Sequence, residues 1–232
     1  MVTLFQSILP PRAACGGLGS YEPVTNRGPL KSRFMTEVLK PLRDPAPMLE
    51  EALREWGGED DLWVFGYGSL IWRPEFDFAE QRPARVHGWH RALKMWSRIN
   101  RGTPERPGLV FGLLTGGCCR GMVFRIEREH GAHTLARLWS REMTLAVYDP
   151  RWLAAHTPQG QVRALAFTLS RSSPSHTGEL SEEEYRAIFS EAQGSYGSTL
   201  DYAHRTLEEL RRHDIRDRNL EKLLKLIQQG DG

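Results

Sequence analysis

Four strand-like apolar runs follow one another along the chain, and no helical pattern separates them. They lie at 63–65, 85–97, 108–114 and 121–126. The last alternates Met122, Phe124 and Ile126 with Val123 and Arg125, as a half-buried strand does. Gly116-Gly117 reads as a turn between the third and fourth runs. Parallel neighbours need a crossover of a dozen or more residues, usually a helix, so antiparallel or mixed pairing is favoured over a doubly wound sheet. A further strand is expected over 162–169.

Helical patterns come later. Residues 133–147 place Leu135, Leu138, Trp139, Met143 and Ala146 on one stripe. Ser181 and Glu184 have the spacing of a capping box, which opens a helix running to Ala192 with Gly194 to end it. Leu200, Ala203, Leu207 and Leu210 mark another stripe, and Leu220, Leu223, Leu224 and Ile227 a last one. These stripes read as core-facing surfaces. The charges of 205–225 are mixed in sign and read as a solvated face. Residues 171–178 form a Ser/Pro-rich loop. The class is α+β.

Residues 1–58 differ from the rest. Seven prolines (Pro10, Pro11, Pro23, Pro29, Pro41, Pro45 and Pro47) and little periodicity mark an extended or disordered leader. A short helix is possible at 48–56, closed by Gly57-Gly58. A compact domain is expected over 59–229. The 232 residues suffice for one such domain and a tail. A net charge of +2 argues against nucleic acid as the main partner. A mean hydropathy of −0.49 and the lack of a long apolar run exclude a conventional spanning helix. The apolar stretch at 2–9 has no basic region before it and makes a poor signal peptide, and a transit peptide has weak support. Three cysteines without a spaced framework indicate a reducing compartment, and a cytoplasmic protein is expected. No CxxC or HExxH motif offers a metal cage.

Within the first run, WVFGYGSLIW (63–72) interrupts an aromatic strand with Gly66-Tyr67-Gly68-Ser69. Two glycines free the backbone to turn, to aim N–H groups into one concavity, and to admit a ligand against the main chain. An ordinary glycine-rich turn is the plainer alternative. Glu142 lies three residues after Trp139, four after Leu138 and four before Ala146, which puts a carboxylate on an apolar stripe. Burial there should raise its pKa and equip it to accept and return a proton. The alternative is a buried ion pair with Arg98 or Arg101. Tyr148, expected near the helix end, either hydrogen-bonds a ligand, holds Glu142, or simply packs. Arg101 and Arg106 sit in a rigid turn-rich loop (100–108) and could hold a carboxylate. Cys118-Cys119 invites a nucleophile reading with His87, His90, His130 or His133 as base. Nothing local activates either thiol.

The combined motifs resemble the ChaC family of gamma-glutamylcyclotransferases, in its glutathione-specific branch. The pieces that carry the resemblance are WVFGYGSLIW (63–72), GWHRALKMWS (88–97), RGTPERPGLVFGL (101–113), the GG-C-RG segment (116–121), LWSREM (138–143) and DYAHRTLEELRRHDIRDRNLEKLL (201–224). The resemblance implies a small mixed or antiparallel β-barrel with surrounding helices. It implies a loop from Val64 to Leu70 (Val64, Phe65, Gly66, Tyr67, Gly68, Ser69, Leu70) that binds a γ-glutamyl group through its backbone. It also implies Glu142 as catalytic acid/base, glutathione as small-molecule substrate, and no metal or organic cofactor. The chain departs from the family pattern at Ala203, Ser198 and Tyr196, which bears on fine substrate contacts. Two other readings stay open: a cyclotransferase for other γ-glutamyl amino acids or amines, and a non-catalytic ligand-binding regulatory domain.

Overall fold

The structure, a computed structural model, describes residues 41–228. The readings made above for residues 1–40, including the extended leader and the stretch at 2–9, lie outside the described residues. Helix α1 (Ala46–Trp56) comes first and ends where Gly57, at φ 79°, takes the left-handed conformation that a Cβ disfavours. Next are β1 (Leu62–Gly66), a 3-10 turn (Ser69–Ile71), β2 (Glu80–Ser97), β3 (Gly108–Ile126), α2 (Arg128–Glu142), β4 (Asp149–Thr157) and β5 (Gly160–Thr168). The chain closes with α3 (Glu182–Glu191), the two-residue strands β6 (Gln193–Gly194) and β7 (Gly197–Ser198), α4 (Thr199–Arg212) and α5 (Arg218–Gln228).

The five long strands form a closed barrel in the order β1-β3-β2-β4-β5. Every pairing is antiparallel except β1 with β5, which is parallel at Val64 and Leu165. The expected mixed barrel with surrounding helices is therefore observed. Val64, Phe65, Val86, Phe124 and Leu165 are fully buried in it. Closure leaves no barrel edge unpaired, which removes the usual site of edge-to-edge aggregation.

Gly116-Gly117 does not form the expected turn. Residues 108–126 are one strand, and pairing with β2 continues on both sides of the two glycines. His87 pairs with Cys118 and Trp89 with Thr115, so Gly88 alone opposes Gly116 and Gly117. All three glycines have positive φ (77°, 98° and 78°). The extra residue is absorbed as a bulge that bends the ribbon instead of reversing the chain. The sequence pattern also missed β4, which contains Pro150 and only weak alternation.

Helix α2 begins five residues before the expected 133 and ends at Glu142, so Ala146 and Tyr148 lie beyond it; Ala146 itself has φ 47°. Ser181 and Glu184 do form the expected capping box. A second box, Ser198 with Asp201, opens α4. Residues 41–56 pack on this body. Arg43 donates to the carbonyls of Ala146 and Tyr148, and Trp139 Nε1 donates to the Pro45 carbonyl at 3.0 Å.

Trp56 packs against Gly131 of α2, where an added Cβ would sit 2.3 Å from the indole. A helical Gly→Ala change ordinarily gains about 1 kcal/mol. Here the indole is held by its own bond to the Asp60 carbonyl and cannot retreat freely. Gly131→Ala is therefore expected to destabilise by about 1–3 kcal/mol, as overpacking does. A urea midpoint equal to or above that of the parent would show that α1 yields at no cost.

Candidate active site

Strand β1 delivers the glycine loop to the barrel rim. Gly66 pairs with Met122 as the last residue of β1, and the chain then turns into the 3-10 segment. Two hydrogen bonds close that segment, from Ile71 N–H to the Gly68 carbonyl and from Trp72 N–H to the Ser69 carbonyl. The N–H groups of Ser69 and Leu70 open the turn and have no partner within it. Space is tight at Gly66 and insufficient for a Cβ at Gly68 without a shift of its surroundings. A Cβ on Gly66 would meet Leu70 and Phe124 at 3.1 Å, and one on Gly68 would meet the Tyr202 hydroxyl at 2.8 Å.

Glu142 is the last residue of α2, and its side chain is only 15% exposed. Desolvation raises its pKa; Arg141 opposes the shift, and Glu75 adds to it. The negative end of the α2 macrodipole acts in the raising direction too. Its ion-pair partner is neither Arg98 nor Arg101. Arg141 Nε lies 3.0 Å from Oε1. These two long side chains meet although they are consecutive on the helix, a contact that i, i+3 and i, i+4 spacing does not anticipate. Arg141 also donates to Ser69 Oγ at 3.1 Å and to the carbonyls of Arg73 and Pro74. One guanidinium thus joins the carboxylate to the glycine loop.

A group of phenols lines the same region. Tyr67 donates to the Phe167 carbonyl at 2.6 Å. Tyr148 brings its hydroxyl to that of Tyr67, and burial raises both phenols well above their ordinary value. Tyr202 accepts from the Phe111 N–H at 3.3 Å, and burial pushes it up to about 12. Glu142 acts electrostatically on all three, so the four groups share one largely desolvated region. Such a cluster keeps the phenols neutral and leaves the carboxylate as the group able to exchange a proton near neutrality.

Arg101 is 5% exposed, and burial lowers its pKa. It donates to the Tyr196 carbonyl and lies 5.1 Å over the Tyr202 ring. Arg106 is exposed and approaches Glu191 at 4.0 Å. The two arginines of the 100–108 loop are therefore not a pair; only Arg101 reaches the aromatic cluster.

A model of ChaC-like proteins matches residues 62–230. The chain belongs to the ChaC-like family. A glutathione-specific gamma-glutamylcyclotransferase of Escherichia coli (strain K12) is 30% identical over 167 residues, which cover 72% of this chain and 72% of that protein. Glutathione-specific gamma-glutamylcyclotransferase 1 of Mus musculus is 30% identical over 169 residues, 70% of this chain and 75% of the mouse protein. Among solved structures, a yeast gamma-glutamylcyclotransferase specific to glutathione superposes with a TM-score of 0.67 at 21% identity, covering 74% of this chain and 97% of that one. At that identity the superposition speaks for the fold.

Three residues of this ChaC-like chain escaped the sequence reading. Arg91 is 8% exposed and donates to the Tyr67 carbonyl at 2.9 Å and to the Arg120 carbonyl at 3.0 Å. Asp217 neutralises it from the start of α5, at 2.5 Å. Tyr202 backs Gly68 from α4. Arg91 and Tyr202 fall on alternating or helical core positions, and that was the only signal available. No local pattern links Arg91 to Asp217, 126 residues away. Cys119 is buried, and desolvation pushes its thiol up to about 11, whereas Cys118 is exposed. Cys119 acts electrostatically on Tyr67 but not on Tyr148 or Tyr202. Glu127, Glu129 and His130 could converge on a cation, but all three are exposed at the start of α2, the opposite end of that helix from Glu142.

Proposed function

We propose that this chain is a glutathione-specific gamma-glutamylcyclotransferase, converting glutathione to 5-oxoproline and Cys-Gly. The observation that carries the reading is the desolvated Glu142 carboxylate joined through Arg141 to the glycine loop, in a chain whose E. coli and mouse relatives bear that name. The loop from Val64 to Leu70 holds the γ-glutamyl group, with the N–H groups of Ser69 and Leu70 facing its charge or the developing oxyanion. Tyr148 and Arg101 complete the pocket wall.

The reaction is internal. Glu142 takes a proton from the substrate α-ammonium group, and the freed nitrogen attacks the γ-amide carbon. A C–N bond forms and closes a five-membered ring. The original amide C–N bond then breaks as Glu142 returns the proton to the leaving nitrogen, and the ring nitrogen gives up its second proton to the departing amine, which leaves as an ammonium group. No water is consumed. Bringing the amine onto its own carbonyl is a conformational problem, so a rigid loop that holds the folded-over substrate contributes strongly. Reduced Cys118 and Cys119 fit a reducing compartment such as the cytoplasm; no described helix is long and apolar enough to cross a membrane.

The deciding experiment is a product assay. Purified protein and glutathione should yield 5-oxoproline and Cys-Gly in equal amounts, with γ-glutamyl-alanine a much poorer substrate. Equal rates on both substrates would favour the broader cyclotransferase, and no product from either would favour the binding-domain alternative. The pH profile offers a finer check. Glu75 raises the Glu142 pKa and also competes for Arg141, at 3.1 Å. Glu75→Gln removes a like charge and frees Arg141 for Glu142, and both effects lower the Glu142 pKa. The acid limb of kcat/KM should therefore move to lower pH; a shift upward, or none, would separate Glu142 from that limb.

A further inference from the structure

We propose that the cavity between the β2–β3 bulge and the start of α5 is a binding site for a small phosphate-bearing anion. The cavity measures about 450 Å³, within the range of small-molecule sites. Its wall carries Arg85 from β2, Arg120 from β3, Arg216 from the α4–α5 connection and Arg218 from α5, with Arg91 and Asp217 at the floor.

The charges on this wall are unbalanced. Asp217 is spent: Oδ2 faces Arg91 and Oδ1 accepts from Leu220 N–H. Arg91 is spent on Asp217 and on the Tyr67 and Arg120 carbonyls. Arg216 has one loose partner, Glu221 at 3.4 Å, which it shares with Arg211. Arg85, Arg120 and Arg218 have no side-chain hydrogen bond or ion pair among the described residues. Three arginines without a side-chain partner, from three separate elements, line one concavity, and their like charges favour an anion beside them.

The backbone adds donors. Asp217 caps α5, and its side chain and carbonyl take the N–H groups of Leu220 and Glu221. The N–H groups of Arg218 and Asn219, the first two of the helix, remain open beside the arginines. Phosphate suits this arrangement better than carboxylate. Its terminal oxygens diverge and can reach guanidinium groups on different elements, whereas a planar carboxylate meets one fork. A cavity of about 450 Å³ in a chain of net charge +2 favours a small molecule over a nucleic acid. Arg91 at the floor also braces the Tyr67 carbonyl, but neither Glu142 nor any of the three phenols lines this cavity, and the proposal does not depend on the cyclotransferase reading.

Inorganic pyrophosphate is the probe. Calorimetric titration of the full chain, at matched ionic strength, should give saturable one-to-one binding. Arg85→Ala and Arg218→Ala should each weaken it about tenfold or more, the loss expected for one charge-assisted contact. Both variants alter exposed side chains, so unchanged melting and unchanged turnover without pyrophosphate are expected of them. Succinate, a dicarboxylate with one charge fewer, should bind more weakly by more than the roughly tenfold that one lost charge contact costs. The idea fails if pyrophosphate shows no saturable heat, if both variants bind as the parent does, or if succinate binds within about tenfold of pyrophosphate. Stoichiometric displacement of pyrophosphate by a short nucleic-acid duplex would likewise overturn the small-molecule assignment.

Discussion

Glu142→Gln is expected to lose 5-oxoproline formation by about 10²–10⁴-fold, the span that a positioned general acid–base supplies. The amide keeps the size and shape of the carboxyl group but cannot take the α-ammonium proton. The same change should leave the fold intact and slightly more stable. Burial raises the Glu142 pKa above 4.5, its ordinary value. The folded protein therefore binds that proton more tightly than the unfolded chain does, and stability falls as pH rises between the two values. The penalty is absent below the ordinary value and complete above the raised one. Glutamine carries no such penalty, so the gain in melting temperature should appear at neutral pH and vanish in acid. Arg141 keeps Ser69 and two backbone carbonyls as partners in the variant. Turnover within tenfold of the parent would remove Glu142 from the chemistry.

The second large effect is expected at Gly68. Its Cβ position is 2.8 Å from the Tyr202 hydroxyl and 3.6 Å from Phe111 Cβ. Tyr202 is 4% exposed and is tied to the Phe111 N–H, so it cannot swing away. Gly68→Val must displace the loop instead. A misplacement of about 1 Å at a reacting centre can cost 10²-fold, and kcat/KM should fall at least that far. Overpacking should also lower stability by about 1–3 kcal/mol. Steady-state kinetics together with a denaturant melt separate the two effects. Unchanged KM and kcat would contradict a binding role for the loop.

The two predictions differ in how they were reached. Glu142 stood out in the sequence because Leu138 and Trp139 define an apolar stripe, and the structure does bury it. Ala146 is not on the helix, and the cation beside Glu142 is its own neighbour, Arg141. Helical spacing describes a regular helix and says nothing of where one ends. Gly68 was legible as a flexible position, but its obligatory smallness was not, because Tyr202 arrives from α4, over 130 positions later. The bulge at Gly116-Gly117 makes the same point. Two glycines between strand-like runs look like a reversal, and only the partner strand, with Gly88 opposite, keeps the chain in one bent strand.

Local chemistry was enough for the strand-then-helix order, the α3 capping box, the glycine turn and one carboxylate among apolar neighbours. Each depends on residues within a few positions of one another, where periodicity and backbone sterics act directly. Barrel closure through the parallel β1–β5 contact, the Arg91–Asp217 brace under the Tyr67 carbonyl, and the gathering of Tyr67, Tyr148, Tyr202 and Glu142 into one desolvated group came only from the folded chain. Those features join segments up to 150 residues apart. Desolvation is a property of the surroundings that packing creates, and no single stretch of sequence carries it.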